Sequence, residues 1–111
     1  MYEYEATAVR VLDGDTVELD IDLGFSITRR EKVRLYGINT PELTDKDPVI
    51  REKAIQAKLK VVDLVMFQKL QIKTLKDKLD KYGRILAIIN VNGVIVNDEL
   101  VSLGLAVPYF L

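Results

Sequence analysis

Three short segments of this chain gather the side chains that could do chemistry. Asp13-Gly14-Asp15-Thr16 sets two carboxylates on either side of a glycine at a strand-to-strand turn. Arg34-Leu-Tyr-Gly-Ile-Asn39-Thr40-Pro41-Glu42 runs from a permanent cation through an amide to a carboxylate. Lys81-Tyr82-Gly83-Arg84 brackets an aromatic ring and a glycine with two cations. Each also has a plain structural reading. Asp-Gly-Asp is common turn chemistry. Asn-Thr-Pro-Glu ends a strand, because the residue before proline favours extended backbone. The third segment alone reads as a turn with an exposed tyrosine. The second is the least ordinary, since amide, carbonyl and carboxylate oxygens within a few residues are what hard cations bind.

Composition removes other chemistries. The 111 residues include no histidine and no cysteine. Ser-His-Asp and Cys-His nucleophiles are therefore excluded, as are disulfides and zinc sites of the usual nitrogen and sulfur ligands. The remaining tools are carboxylates, arginines, lysines, tyrosines, backbone groups and an oxygen-bound cation. Sixteen basic and 17 acidic residues give a net charge of −1, with an isoelectric point of about 5.5. Proteins that hold nucleic acid by bulk electrostatics are strongly basic. A nucleic-acid partner here must be held by a local cationic cluster or a bound cation, which suits a catalyst that releases its product.

The elements that must position these segments are mostly strands. Thr7 to Leu12 is a short β-rich run ending at Asp13-Gly14-Asp15. Val17, Leu19, Ile21 and Leu23 alternate with Glu18, Asp20 and Asp22, the period of a half-buried strand. Gly24 marks a bend. Ile27 to Tyr36 is a third strand, with Val33 and Leu35 facing in and Lys32 and Arg34 facing out. Gly37 to Asp47 is a loop. Asp47-Pro48 reads as an N-cap followed by proline in the first helical turn. A helix is expected from 48 to about 68, burying Ala54, Ala57 or Lys58, Val61 and Val65, with Ile50, Val62 and Phe67 beside them. Leu70 to Leu75 is a strand with Leu70, Ile72 and Thr74 on one side, and Lys76 to Lys81 is a charged hairpin region. Ile85 to Val91 is an apolar strand, Asn92-Gly93 a two-residue hairpin turn, and Val94 to Val96 the return strand. Asn97 is expected to cap a brief helix that stops at Gly104. The order predicts an α+β, mostly β fold: a five-stranded OB-fold Greek-key barrel, with a helix between strands 3 and 4 and a short helix after strand 5.

Four segments together are more specific than any one. Val11-Leu-Asp-Gly-Asp-Thr-Val17, Val33 to Glu42, Asp80-Lys-Tyr-Gly-Arg84 and Val96 to Ala106 resemble, in order and spacing, successive motifs of the staphylococcal nuclease (thermonuclease) family. The resemblance covers nearly the whole chain. It implies a single SNase-like domain over 1–111 that hydrolyses phosphodiester bonds in DNA and/or RNA with one calcium ion. It implies metal ligands at Asp15, Asn39 and the Thr40 carbonyl. It implies Glu42 as the group that orients or deprotonates the attacking water, and Arg34 and Arg84 as the phosphate-gripping cations. Lys81, Tyr82 and Tyr109 would then lie near the bound nucleotide, with Tyr109 or Phe110 stacking on a base.

Two departures carry expectations. The family usually has aspartate where this chain has Asn39, so weaker metal binding is expected. The alternative is a catalytically weak or silent nucleic-acid-binding or scaffold domain. Such silent copies tend to lose the arginines and the glutamate, whereas Asp15, Arg34, Glu42 and Arg84 are all present. The chain also stops where the best-known members continue into a further C-terminal helix. The start, Met1-Tyr-Glu-Tyr-Glu, is not the basic-then-apolar opening of a signal peptide. As written the chain reads as cytoplasmic; trimmed of a leader it would be secreted. No apolar run reaches membrane-spanning length, and nothing in the sequence fixes an oligomeric state.

Overall fold

The computed structural model describes residues 2–79 and 82–110, with side chains given outside 76–79. Lys81 lies outside the described residues, as do Asp80 of the charged hairpin region and Leu111. Ten elements follow in order: β1 (Tyr2–Asp13), β2 (Thr16–Asp22), β3 (Thr28–Leu35), β4 (Ile38–Asn39), α1 (Pro48–Val65), β5 (Lys69–Leu79), β6 (Ile85–Val91), β7 (Val94–Ile95), α2 (Val96–Ser102) and β8 (Val107–Pro108).

The long strands form an antiparallel sheet in the order β3-β2-β1-β5-β6-β7, and β3 also pairs with β6. That last pairing is parallel, Val33 opposite Ile85 and Leu35 opposite Ala87, and it closes a five-stranded OB-type barrel. The alternation expected in β2 and β3 is the inward row: Val17, Leu19, Val33 and Leu35 are essentially fully buried. Leu70 and Ile72 of β5 and Ala87 and Ile89 of β6 complete the wall. Each such Leu, Ile or Val contributes about 1.5–3 kcal/mol by leaving water. Val61 and Val65 of α1 and Val96 and Leu100 of α2 join the same core. No described helix is long and apolar enough to cross a membrane.

Several expectations hold in detail. The Asp47 side chain accepts from Val49 N at 2.9 Å, capping α1 with Pro48 in its first turn. Asn92 and Gly93 both have positive φ (51° and 89°), as a twisted two-residue hairpin requires. Others are corrected. β1 begins at Tyr2 rather than Thr7, because its first half pairs with β5 (Tyr4 opposite Ile72) rather than with its sequence neighbour. α1 ends at Val65, and Phe67 beyond it is 97% exposed, since its left-handed backbone (φ 62°) turns the chain off the helix. Leu23 is exposed: the inward row ends at Ile21, where the β2–β3 hairpin runs past the barrel rim. Val96 belongs to α2, not to the return strand.

Asn97 is also corrected. It does not cap α2, whose N-cap is Ile95 with no side-chain hydrogen bond. With no loop between β7 and α2, the first helical turn is pressed against β6, and Asn97 is buried there. Its Oδ1 accepts from Ile89 N (3.1 Å), and its Nδ2 donates to Tyr36 O (2.9 Å) and Ala87 O (3.1 Å). One side chain thus ties α2, the end of β3 and β6 together.

Candidate functional site

Asp15 occupies the β1–β2 turn. Its backbone N donates to Asp13 Oδ1 at 3.0 Å, and its carbonyl accepts from Leu35 N at 2.8 Å, so turn and strand end are fixed to each other. Register shifts in β1 between Ala8 and Arg10 and between Val11 and Asp13 bend the strand just before the turn. Gly14 lets the turn press into the protein. A Cβ there would stand 2.8 Å from Ala57 Cβ of α1 and 3.0 Å from the Thr40 side chain.

This close approach delivers the Asp15 carboxylate to the loop after β4. Oδ2 accepts from Thr40 N at 3.2 Å, and Oδ1 accepts from Thr16 Oγ1 at 3.2 Å. Arg34 Nη1 lies 2.8 Å from Oδ2, and both side chains are only 12% exposed. No N–H of that nitrogen is aligned on an acceptor, so the pair is a charge contact rather than a hydrogen bond. Arg34 Nη2 donates to Ile38 O (3.2 Å) and to Asn39 Oδ1 (3.3 Å). Arg34 does face off the apolar side of β3, as expected, but it lies enclosed against Asp15 instead of out in solvent. Arg84 arrives from the other side: Nη1 donates to Thr16 Oγ1 at 3.0 Å, and its guanidinium stands 5.2 Å from the Tyr82 ring centroid.

The carboxylates of the turn are driven apart. Burial pushes Asp13 up to about 6, helped by its hydrogen bond with, and the negative charge of, Asp15. Burial pushes Asp15 the same way, but the side-chain hydrogen bond with Asp13, the Arg34 charge and the Thr40 amide outweigh it and hold Asp15 below the usual carboxylate value. The turn therefore holds a proton more tightly on Asp13 than on Asp15.

The other expected residues are placed more loosely. Thr40 is buried, and Asn39 beside it is exposed. Glu42 is exposed on the loop that follows β4, and among the described residues no hydrogen bond or ion pair engages its side chain. Tyr109 follows β8, which pairs with β4 (Asn39 opposite Val107), and its N donates to Gly37 O at 2.8 Å, so it stands beside the Asn39 loop. Phe110 meets Tyr36 edge-on at 5.8 Å and covers Gly37.

Among the described residues no three acidic side chains cluster as a metal cage. The donor set expected from the sequence is one carboxylate, one amide oxygen and a backbone carbonyl, all hard oxygens. Asp15 Oδ2 and Asn39 Oδ1 already converge on one cationic group, the Arg34 guanidinium. That convergence of oxygens on positive charge fits a calcium-like ion, with the remaining positions left to water or substrate. Sequence reasoning did not single out the Thr16 hydroxyl, the close-packed Gly14, or Asn97 as a bracket. The one available signal was that Thr16 is uncharged in an outward row continued by Glu18 and Asp20.

Residues 32–111 match the family described as staphylococcal nuclease homologue. The chain is 33% identical over 101 residues to Endonuclease YncB of Bacillus subtilis (strain 168), covering 90% of this chain and 46% of that protein. It is 29% identical over 98 residues to the Thermonuclease of Staphylococcus hyicus, covering 88% and 55%. It is 33% identical over 103 residues to the SPbeta prophage-derived endonuclease YokF of Bacillus subtilis (strain 168), covering 92% and 33%. The chain thus spans about half or less of the length of these relatives. With most of its length matched, and with the matched segment contributing Arg34, Asn39, Thr40, Glu42 and Arg84, the chain belongs to the staphylococcal nuclease homologue family.

Proposed function

We propose that this chain is a calcium-dependent nuclease domain that hydrolyses phosphodiester bonds of DNA and/or RNA. The observation that carries the reading is the bracketing of one buried carboxylate, Asp15, by two arginines, Arg34 of β3 and Arg84 just before β6. Arg34 touches it directly, and Arg84 reaches it through Thr16. The relatives' names, endonuclease and thermonuclease, support the same reaction class.

Asp15, Asn39 and the Thr40 carbonyl would hold the ion. When bound, calcium polarises the phosphate and favours attack by a nearby water. Glu42, free of other partners on its loop, accepts the proton of that water as its oxygen bonds to phosphorus. The bond from phosphorus to the leaving oxygen breaks, and solvent protonates that oxygen. Arg34 and Arg84 offer planar, permanently charged forks to the phosphate oxygens, whose negative charge concentrates in the pentacoordinate state. Tyr82 and Tyr109, both exposed, supply faces for bases. The experiment is incubation of the protein with heat-denatured DNA in millimolar calcium, followed by excess chelator. Cleavage that stops on chelation is expected. An intact fold without cleavage refutes the reading and leaves a binding domain.

A further inference from the structure

We propose that Thr16 is a positioning residue of this site, whose buried hydroxyl fixes the Arg84 guanidinium against the Asp15 carboxylate. The proposal rests on the nuclease reading above and assigns a role that the reading does not contain. Thr16 is 3% exposed although it lies on the outward row of β2, where Glu18 and Asp20 follow it. It pairs with Asp13 of β1 on one side and with Arg34 of β3 on the other. Its hydroxyl donates to Asp15 Oδ1, its sequence neighbour, and accepts from Arg84 Nη1, 68 positions away.

The polarity of this bridge is fixed. A guanidinium only donates, so the hydroxyl lone pair faces Arg84 and its single proton faces the carboxylate. Each neighbour is charged, and each polarises the hydroxyl toward the other. Tyr82 offers Arg84 a face at 5.2 Å, a contact without the directionality of a hydrogen bond, so the orientation of the fork is read from its hydrogen bond to Thr16. The hydroxyl sets that rotation relative to Asp15, which is the relation a phosphate held between Arg84 and the ion would need. Valine has the same branched shape and fits the same strand, so burial and β-propensity do not account for a hydroxyl at this position.

The test compares wild type, Thr16→Val and Thr16→Ser. Cleavage kinetics on heat-denatured DNA with calcium are measured together with urea unfolding and nitrogen-15 NMR of the Arg84 side chain. For Thr16→Val, kcat should fall roughly 10- to 100-fold, the loss expected for a hydrogen bond to a charged group. KM should change by less than about threefold in the same variant. Arg84 should gain rotational freedom at its guanidinium. Thr16→Ser should restore both rate and restraint. A purely packing role would lower the unfolding midpoint and leave kcat and the Arg84 signal untouched; that result overturns the proposal. If wild type cleaves and Thr16→Val cleaves equally well, the positioning role falls while the nuclease reading stands. If wild type does not cleave, the nuclease reading falls, and an Arg84 signal unchanged by Thr16→Val overturns the positioning role separately.

Discussion

Replacing Asn39 by aspartate is the sharpest probe of the proposed ion site. Asn39 Oδ1 stands 3.3 Å from Arg34 Nη2, and Arg34 Nη1 stands 2.8 Å from Asp15 Oδ2. A carboxylate at position 39 would therefore add negative charge where the proposed cation would sit. Two unit charges at about 4 Å attract by about 1 kcal/mol in water and about 4 kcal/mol at an effective dielectric of 20. Residue 39 is exposed, so the lower half of that range applies, doubled for a divalent ion. Two effects oppose it. Asp15 repels the new charge, and Arg34 pairs with it in the ion-free protein, an exposed-type pair of roughly 0.2–1 kcal/mol.

The net gain is about 1–2 kcal/mol, so Asn39→Asp should bind calcium roughly 5- to 30-fold more tightly than wild type. Calorimetric titration with calcium at fixed ionic strength measures this directly, and the gain should shrink as salt rises. Asn39→Ala, which removes an oxygen without adding charge, should bind more weakly than wild type. Unchanged affinity in both variants would refute the placement of residue 39 among the ligands. Weaker binding in Asn39→Asp would refute the balance of charges, showing that Arg34 seals the site once a second carboxylate is present.

Arg84→Ala should lower kcat by roughly 10²–10³ while changing KM only a few-fold, as for a group that acts mainly on developing charge; equal losses in both would make Arg84 a substrate holder only. Gly14→Ala forces a Cβ to within 2.8 Å of Ala57 Cβ and 3.0 Å of Thr40, and should destabilise by about 1–3 kcal/mol while weakening calcium binding. A wild-type urea midpoint would show that the turn is not close-packed. Asp13, raised from 3.8 to about 6, holds its proton more tightly when folded. Its stabilising contribution is present below about pH 3.8 and is lost as pH rises through about 6. Asp13→Asn keeps an oxygen for Asp15 N, so the ion-free variant should show a flatter stability profile between these values and exceed wild type at neutral pH. Asp15, lowered instead, loses its contribution only as pH falls below the usual carboxylate range. Superimposable urea midpoints for wild type and Asp13→Asn across this range would refute the assignment.

What the sequence made legible was local. Alternation in Val17, Leu19 and Ile21 shows an inward row, Asp47-Pro48 starts a helix, and Asn92-Gly93 turns a hairpin, because each signal sits within a few residues of its effect. The parallel closure of β3 on β6 has no such signal, since it joins Val33 to Ile85. The first half of β1 lacks one for the same reason: its partner is β5, not β2. At the site, residue types and motif order were legible, and Asp15, Arg34, Asn39 and Thr40 do converge. The bracket made by Asn97 was not, because its partners Tyr36 and Ala87 lie 61 and 10 positions away. An asparagine before an acidic first turn reads as a cap unless those distant carbonyls are known.

The same geometry turns Asn39 from a simple defect into a trade. Arg34 has three engagements: it neutralises Asp15, and it donates to the Ile38 carbonyl and to the Asn39 amide. To grip a phosphate it must give up part of them. A neutral amide holds a guanidinium less firmly than a carboxylate, since charge-assisted hydrogen bonds are roughly twice as strong. At the proposed ion site, asparagine at 39 would thus weaken the hold on calcium and loosen the hold on Arg34 together. Asn39→Asp should separate the two effects. At subsaturating calcium the variant should be faster than wild type, because more of it carries the ion. At saturating calcium it should be no faster, and slower to the extent that the introduced carboxylate retains Arg34. A variant faster at every calcium concentration would show that Arg34 is not shared between residue 39 and the substrate.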